Sequence, residues 1–166
     1  MPYGDVQYTA ACLAIGEFVI EFSRLESFIR ATLADVLRLE DRYSEIVGAS
    51  YDFATLCRVT RTVLQRQFPD EKDDIKRLFD TCLRVNDARV RLAHGTWAES
   101  AGGLIAAYMS RQSLKVDFYF GDIKEVRALA GEATELAKEV VSLAPMVRNY
   151  RAQQQEKPAD PPSPAN

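Results

Sequence analysis

The sequence predicts a mainly α fold, an up-and-down bundle of about four helices with a small β-hairpin insertion before the last helix. Three observations predict it. Apolar residues recur at steps of three and four along four long segments, which places them on one face of each helix. Near residues 103–120 the period changes to two, as in strands. Capping and helix-breaking residues, rather than long loops, separate the segments. A chain of 166 residues is long enough to bury one core, and a single domain is expected over residues 1–152.

The first helix is expected from about Tyr8 to Leu39. Ile15, Val19, Phe22, Glu26, Ile29, Leu33 and Val36 form its stripe, and Phe18, Leu25 and Phe28 widen the apolar face. Residues 40–50 read as a connector with room for one helical turn. Ser50 or Asp52 can cap a second helix running to about Gln67, with Phe53, Leu56, Cys57, Val63 and Leu64 facing inward. Pro69 and Asp70 begin a third helix, about Asp70 to Ala93, whose stripe is Leu78, Cys82, Val85, Arg89 and Leu92. On its wet side, Asp80 with Arg84 and Asp87 with Arg91 are spaced for i,i+4 ion pairs. Gly95 stands at the C-cap.

Leu114, Val116, Phe118 and Phe120 then alternate with Lys115, Asp117 and Tyr119. With the run at 103–110 they predict a hairpin. Asp122 and Glu125 resemble a capping pair for the last helix. Ile123, Val126, Leu129, Ala133, Leu136, Val140 and Leu143 give that helix its apolar face, and Pro145 should kink or end it. The polar, proline-rich tail at 153–166 is expected to be disordered.

The net charge of −3 is unevenly spread: residues 1–50 carry four arginines against eight acids, and residues 51–100 nine Lys/Arg against eight acids. A mildly acidic chain is no bulk nucleic-acid binder, so any such contact has to be local. Cys12, Cys57 and Cys82 form no C-x-x-C pair, which argues against zinc and for buried, reduced thiols in a cytoplasmic protein. The N-terminus lacks a basic leader region. Charges interrupt every apolar run before the ~18 residues that a membrane span needs, so no membrane partner is expected. A di-metal carboxylate bundle needs more histidines than the one present, and Gly102-Gly103 lacks the Lys-Ser/Thr of a phosphate loop. No metal and no cofactor is therefore expected.

Two charged residues, Glu26 and Arg89, interrupt apolar stripes, which is costly unless they are paired or reach water. They either snorkel at the domain rim, form a structural pair between the first and third helices, or belong to a site. His94, the only histidine, follows Arg89 by five residues. That is about 7.5 Å along an ideal helix and about 140° around it, so the two do not share a face. They can meet if the helix loosens before Gly95, or across a symmetric dimer. His94 is either a donor to the last helix carbonyls or a group that exchanges protons near neutral pH. No acid occurs from Phe53 to Phe68, so Arg58, Arg61 and Arg66 form either a solvated helix face or part of a positive cleft.

The stretch "RVRLAHGTW" resembles the signature of the HEPN domains, small helical nucleotide-binding and ribonuclease modules. Their motif is an Arg, four to six residues, then a His near the end of a late helix. Arg89 and His94 match it with four residues between, and Ala93, Gly95 and Trp97 match the flanks. The helix order resembles the family over roughly residues 9–150, and "FSRLESFIRATL" and "FATLCRVTRTVL" also look family-like. One position departs: where the family typically has Asn, Asp or His after the Arg, this chain has Val90. The resemblance implies a homodimeric, metal-independent endoribonuclease acting on RNA, in a toxin or defence setting with an antitoxin protein as partner. It implies His94 as acid/base and Arg89 as the group stabilising the phosphate. Beside that pair, Glu26 is expected to orient Arg89, and Arg58, Arg61, Arg66 and Arg91 to contact RNA. The alternative it leaves open is a non-catalytic HEPN-like dimerisation module that binds a nucleotide, RNA or a protein.

Overall fold

Helix α1 (Asp5–Leu37) runs 33 residues without interruption, about 50 Å at 1.5 Å per residue. It ends at Arg38, whose φ of 57° is left-handed. The Arg38 and Leu39 N–H groups return to the carbonyls of Asp35 and Ala34 at 3.1 and 3.0 Å, closing the last turn. The chain continues through α2 (Asp41–Ala49), α3 (Phe53–Gln67), a 3-10 turn (Pro69–Glu71) and α4 (Lys72–His94). Strands β1 (Thr96–Ser100), β2 (Gly103–Met109) and β3 (Val116–Tyr119) follow, then α5 (Ile123–Ser142) and α6 (Ala144–Glu156). The structure, a computed structural model, describes residues 5–100, 103–109, 116–120 and 122–156.

Four helices form the bundle. Helix α5 lies along α1, α3 flanks the second half of α1, and α4 closes the ring against α3 and α5. The expected connector at 40–50 is a full helix, α2, and it turns the chain back. Its Gly48 packs beside the Arg30 side chain of α1. As a result α3 runs parallel to α1, with Phe53 against Phe22 at one end and Gln67 bonding the Val36 carbonyl at the other. Helix α4 is antiparallel to α3, as Arg61 meets Asp80 and Gln65 meets the Lys72 carbonyl. Helix α5 reverses again, with Glu132 beside Arg84. Three of the four bundle helices thus point one way, and the bundle departs from the expected up-and-down order.

The core corrects the predicted stripe of α1. Ala14, Phe18, Phe22, Leu25, Ile29, Leu33 and Val36 are buried, whereas Val19 is 50% exposed and Ile15 and Glu26 are half-buried. On α4 the stripe passes through Val85, Ala88 and Leu92, and Arg89 stays exposed. Both charged interruptions therefore lie beside the core stripe and not within it. Cys57 and Cys82 are buried free thiols, as expected, but Cys12 is exposed. The Cys82 thiol beside Cys57 and the burial of the site push the Cys57 thiol well above its ordinary range.

The predicted hairpin is the β2–β3 pair of a three-stranded antiparallel sheet in the order β1-β2-β3. The expected strand residues Leu114 and Lys115 lie outside the described residues. Strand β1 escaped the sequence reading because "TWAES" is short and polar. Ala106 at the sheet centre pairs with Trp97 and Tyr119 and is fully buried. The Trp97 indole N–H donates to the Leu92 carbonyl at 3.3 Å, which fastens the sheet to the end of α4. Asp122 caps α5 through the Lys124 N–H at 2.9 Å. The chain breaks at Leu143 and α6 begins with Pro145 in its first turn, where a missing N–H costs nothing. Helix α6 continues to Glu156, past the expected start of the tail at 153; the rest of that segment lies outside the described residues.

Phe79 is fully buried at the centre of this core. Its replacement by alanine is expected to destabilise the fold by about 3–5 kcal/mol in denaturant unfolding. A loss under about 1 kcal/mol would contradict a close-packed centre at this position.

Candidate functional site

The site arises from a mismatch of helix lengths. Helix α3 has 15 residues, about 22 Å, against about 50 Å for α1. It starts where Phe53 meets Phe22, ring centroids 4.4 Å apart. Before that point the flank of α1 has no neighbour from α3. A groove opens there between α1 and the last turns of α4, lined by Ile15, Phe18, Val19, Phe22, Ser23, Glu26, Arg89, Leu92 and Ala93. At the start of α3 it continues into a cleft of about 410 Å³ that adds Asp52, Phe53, Ala54, Asn86 and Val90. Phe22, Glu26 and Arg89 line both.

Glu26 and Arg89 thus share a groove, but they are not an ion pair. Glu26 pairs with Arg30 one turn along α1, a spacing the sequence offered. The same guanidinium reaches the Tyr51 carbonyl at 3.4 Å. Glu26 is therefore held from its own helix, and the expected orienting contact to Arg89 is not made. The Arg89 guanidinium lies 5.9 Å from the Phe22 ring centroid, within cation–π range. It forms no ion pair among the described residues.

His94 is the last residue of α4 and is exposed. Its side chain has no hydrogen-bond or ion-pair partner among the described residues, so the reading of it as a donor to the last carbonyls is not realised. It does not line the groove; Ala93, one residue earlier, does. The separation of Arg89 and His94 around the helix persists within one chain.

Gly95 is the C-cap, with φ −72° and ψ 149°. Any residue adopts that backbone, so the requirement for glycine is space. A Cβ there would stand 2.6 Å from the Arg91 carbonyl oxygen.

The four arginines expected to contact RNA do not converge. Arg58 is exposed near the start of α3, close enough to Asp52 for its charge to act on that carboxylate. Arg61 is tied to Asp80, which Lys76 also holds. Arg66 is exposed in the last turn of α3. The Arg91 guanidinium stacks 4.4 Å above the Tyr119 ring of the sheet, in place of the expected pair with Asp87. Arg84 likewise pairs with Glu132 and not with Asp80.

Sequence reasoning missed Asp52 and Asn86 as members of the site. Asp52 was legible only as a cap, a role it fills by accepting the Thr55 N–H at 2.7 Å. That hydrogen bond holds its carboxyl below the usual carboxylate range. Asn86 stood outside the predicted stripe, and only the late start of α3 exposes it.

No protein-family model, no curated protein and no solved structure matches the chain. Among the described residues no group of three or more His, Cys, Asp and Glu side chains can hold a metal ion. Among the described residues no helix is long and apolar enough to cross a membrane.

The lowered Asp52 ionisation gives a pH test. A carboxylate that is more acidic in the folded state stabilises fully above its unfolded value, and that contribution fades as pH falls through the folded one. Thermal unfolding of the wild type is expected to lose stability below about pH 4 more steeply than Asp52→Asn, which keeps a capping side chain without the titration. Superimposable acid limbs would show that the cap does not hold the ionised form.

Proposed function

We propose that this chain is a HEPN-like, metal-independent endoribonuclease whose active site is completed in a homodimer. One observation carries the reading. Arg89 and His94 are both exposed at one end of α4 and neither forms an ion pair among the described residues, whereas Arg30 is paired with Glu26 and Arg84 with Glu132. An arginine that neutralises no carboxylate of its own chain is available to a phosphate.

In this reading the RNA 2′-hydroxyl oxygen forms a bond to the adjacent phosphorus and the 5′-oxygen leaves. A neutral imidazole takes the 2′ proton and an imidazolium returns a proton to the leaving oxygen. The products are a 2′,3′-cyclic phosphate and a 5′-hydroxyl. Arg89 stabilises the charge that grows on the non-bridging phosphate oxygens. Because Arg89 and His94 point to different sides of one helix, two copies of α4 facing each other supply the convergent set. The exposed Leu13, Val19 and Ile20 of α1 offer apolar area to such a contact, Val19 from the groove itself. A toxin or defence role with an antitoxin partner follows from the resemblance alone.

A second reading has its own support. Val90 lines the cleft directly after Arg89, where the family typically carries a polar residue. A non-catalytic module that binds RNA, a nucleotide or a protein through the same groove accommodates that substitution.

Incubation of RNA with the wild type in EDTA is expected to yield cyclic-phosphate ends. Arg89→Ala and His94→Ala each lower the rate by about 10²–10⁴-fold. RNA that stays intact but binds the wild type would favour the second reading. Light scattering at tens of micromolar is expected to return a dimer mass, and a monomer mass would remove the composite site.

A further inference from the structure

We infer that the outward face of α1 is the contact surface for a second copy of this chain, which docks on it with its own α1 running antiparallel. This names the interface of the homodimer, and it rests on the ribonuclease reading only for the chemistry of the site beside it.

A helix on a domain surface carries its charged residues opposite the core. Helices α3, α4 and α5 do so, exposing Arg58 and Arg66, Asp73 and Lys76, and Glu135 and Lys138 in turn. Helix α1 does not. Over about 27 Å of its length, the side opposite the buried Phe18 and Leu25 presents Thr9, Leu13, Gly16, Ile20, Ser23 and Ser27, none of them charged or buried. Leu13 and Ile20 are 65% and 61% exposed. The two serines are already satisfied within the helix: the Ser23 and Ser27 hydroxyls donate to the Val19 and Ser23 carbonyls, each at 2.9 Å. Covering this face therefore removes apolar area from water and strands no charge.

The row recurs at steps of four and three, the spacing of a helix–helix seam, and its sizes fit an identical partner. A Cβ at Gly16 would meet nothing of the described residues within 4 Å, so a side chain from outside has room there. In an antiparallel pair with its twofold axis level with Phe18, Gly16 faces the partner's Ile20 and Leu13 faces the partner's Ser23. Each large side chain enters the space over a small one, and the same contacts repeat across the axis. A parallel pair would set Gly16 on Gly16 and leave a void in that layer. A partner chosen by charge finds nothing to pair with on this face, whereas a copy of the face matches it. Val19 borders the row and lines the groove of Glu26 and Arg89. The antiparallel arrangement therefore sets both grooves on the same side of the helix pair.

Light scattering of the full chain at tens of micromolar tests the face, with helicity by circular dichroism as the check on folding. The wild type is expected at the dimer mass. Ile20→Lys places an unpaired charge in the seam and is expected to halve the mass with helicity unchanged. Val141→Lys, at an exposed apolar position of α5, is expected to keep the dimer. In a Cys12→Ser background, oxidation is expected to cross-link the double variant Leu13→Cys with Ser23→Cys, and neither single variant. A monomeric wild type, a dimer that survives Ile20→Lys, or cross-linking of the double variant no faster than of the singles would overturn the face. The two proposals fail separately. A dimer that survives Ile20→Lys and still cleaves RNA removes this face and leaves the ribonuclease, whereas a dimer lost in Ile20→Lys whose wild type leaves RNA intact does the reverse.

Discussion

The rest of the molecule depends on the contact between Phe22 and Phe53, ring centroids 4.4 Å apart. It fixes how far along α1 the much shorter α3 begins. Below that contact, α1, α3, α4 and α5 enclose a core of apolar side chains. Above it, α1 and α4 stand with one side uncovered. Had α3 begun two turns earlier in register, the groove would be filled and Arg89 would need a partner or a different residue. The site is thus a consequence of where one helix starts.

This explains why much of the fold was legible in the sequence and the site was less so. Helix faces follow from local periodicity, so α3, α4 and α5 were readable within a few residues of their ends, and the caps at Asp52 and Asp122 were readable as such. The direction of α3 was not readable, because it depends on α2 folding back against Arg30. The same holds for the stripe of α1. Ile15, Val19 and Glu26 recur with helical spacing, yet whether that row faces a neighbour or a groove is decided by the length of a helix elsewhere in the chain. Strand β1 was hidden for a related reason. Its five residues gain their pairing from β2 and their anchoring from Trp97, and neither signal is local.

Within the site, Arg89 and His94 were legible because unusual residues at a helix end stand out. The partner of Glu26 was also within reach, since Arg30 lies one turn away on the same helix. A local i,i+4 pair costs less chain entropy to form than a long-range one and leaves Arg89 uncommitted. Arg61, Arg84 and Arg91 go the other way: each takes a long-range partner, Asp80, Glu132 or the Tyr119 ring, that helix and sheet packing brings within reach.

The junction after His94 has a mechanical consequence. A single residue, Gly95, separates the end of α4 from β1, and its N–H still bonds the Arg91 carbonyl at 2.8 Å. The neighbouring indole grips the same helix turn through Leu92. There is no slack between histidine and sheet, so the sheet behaves as a lever whose fulcrum is the last turn of the helix. A load that tilts the strands therefore reorients the imidazole with them.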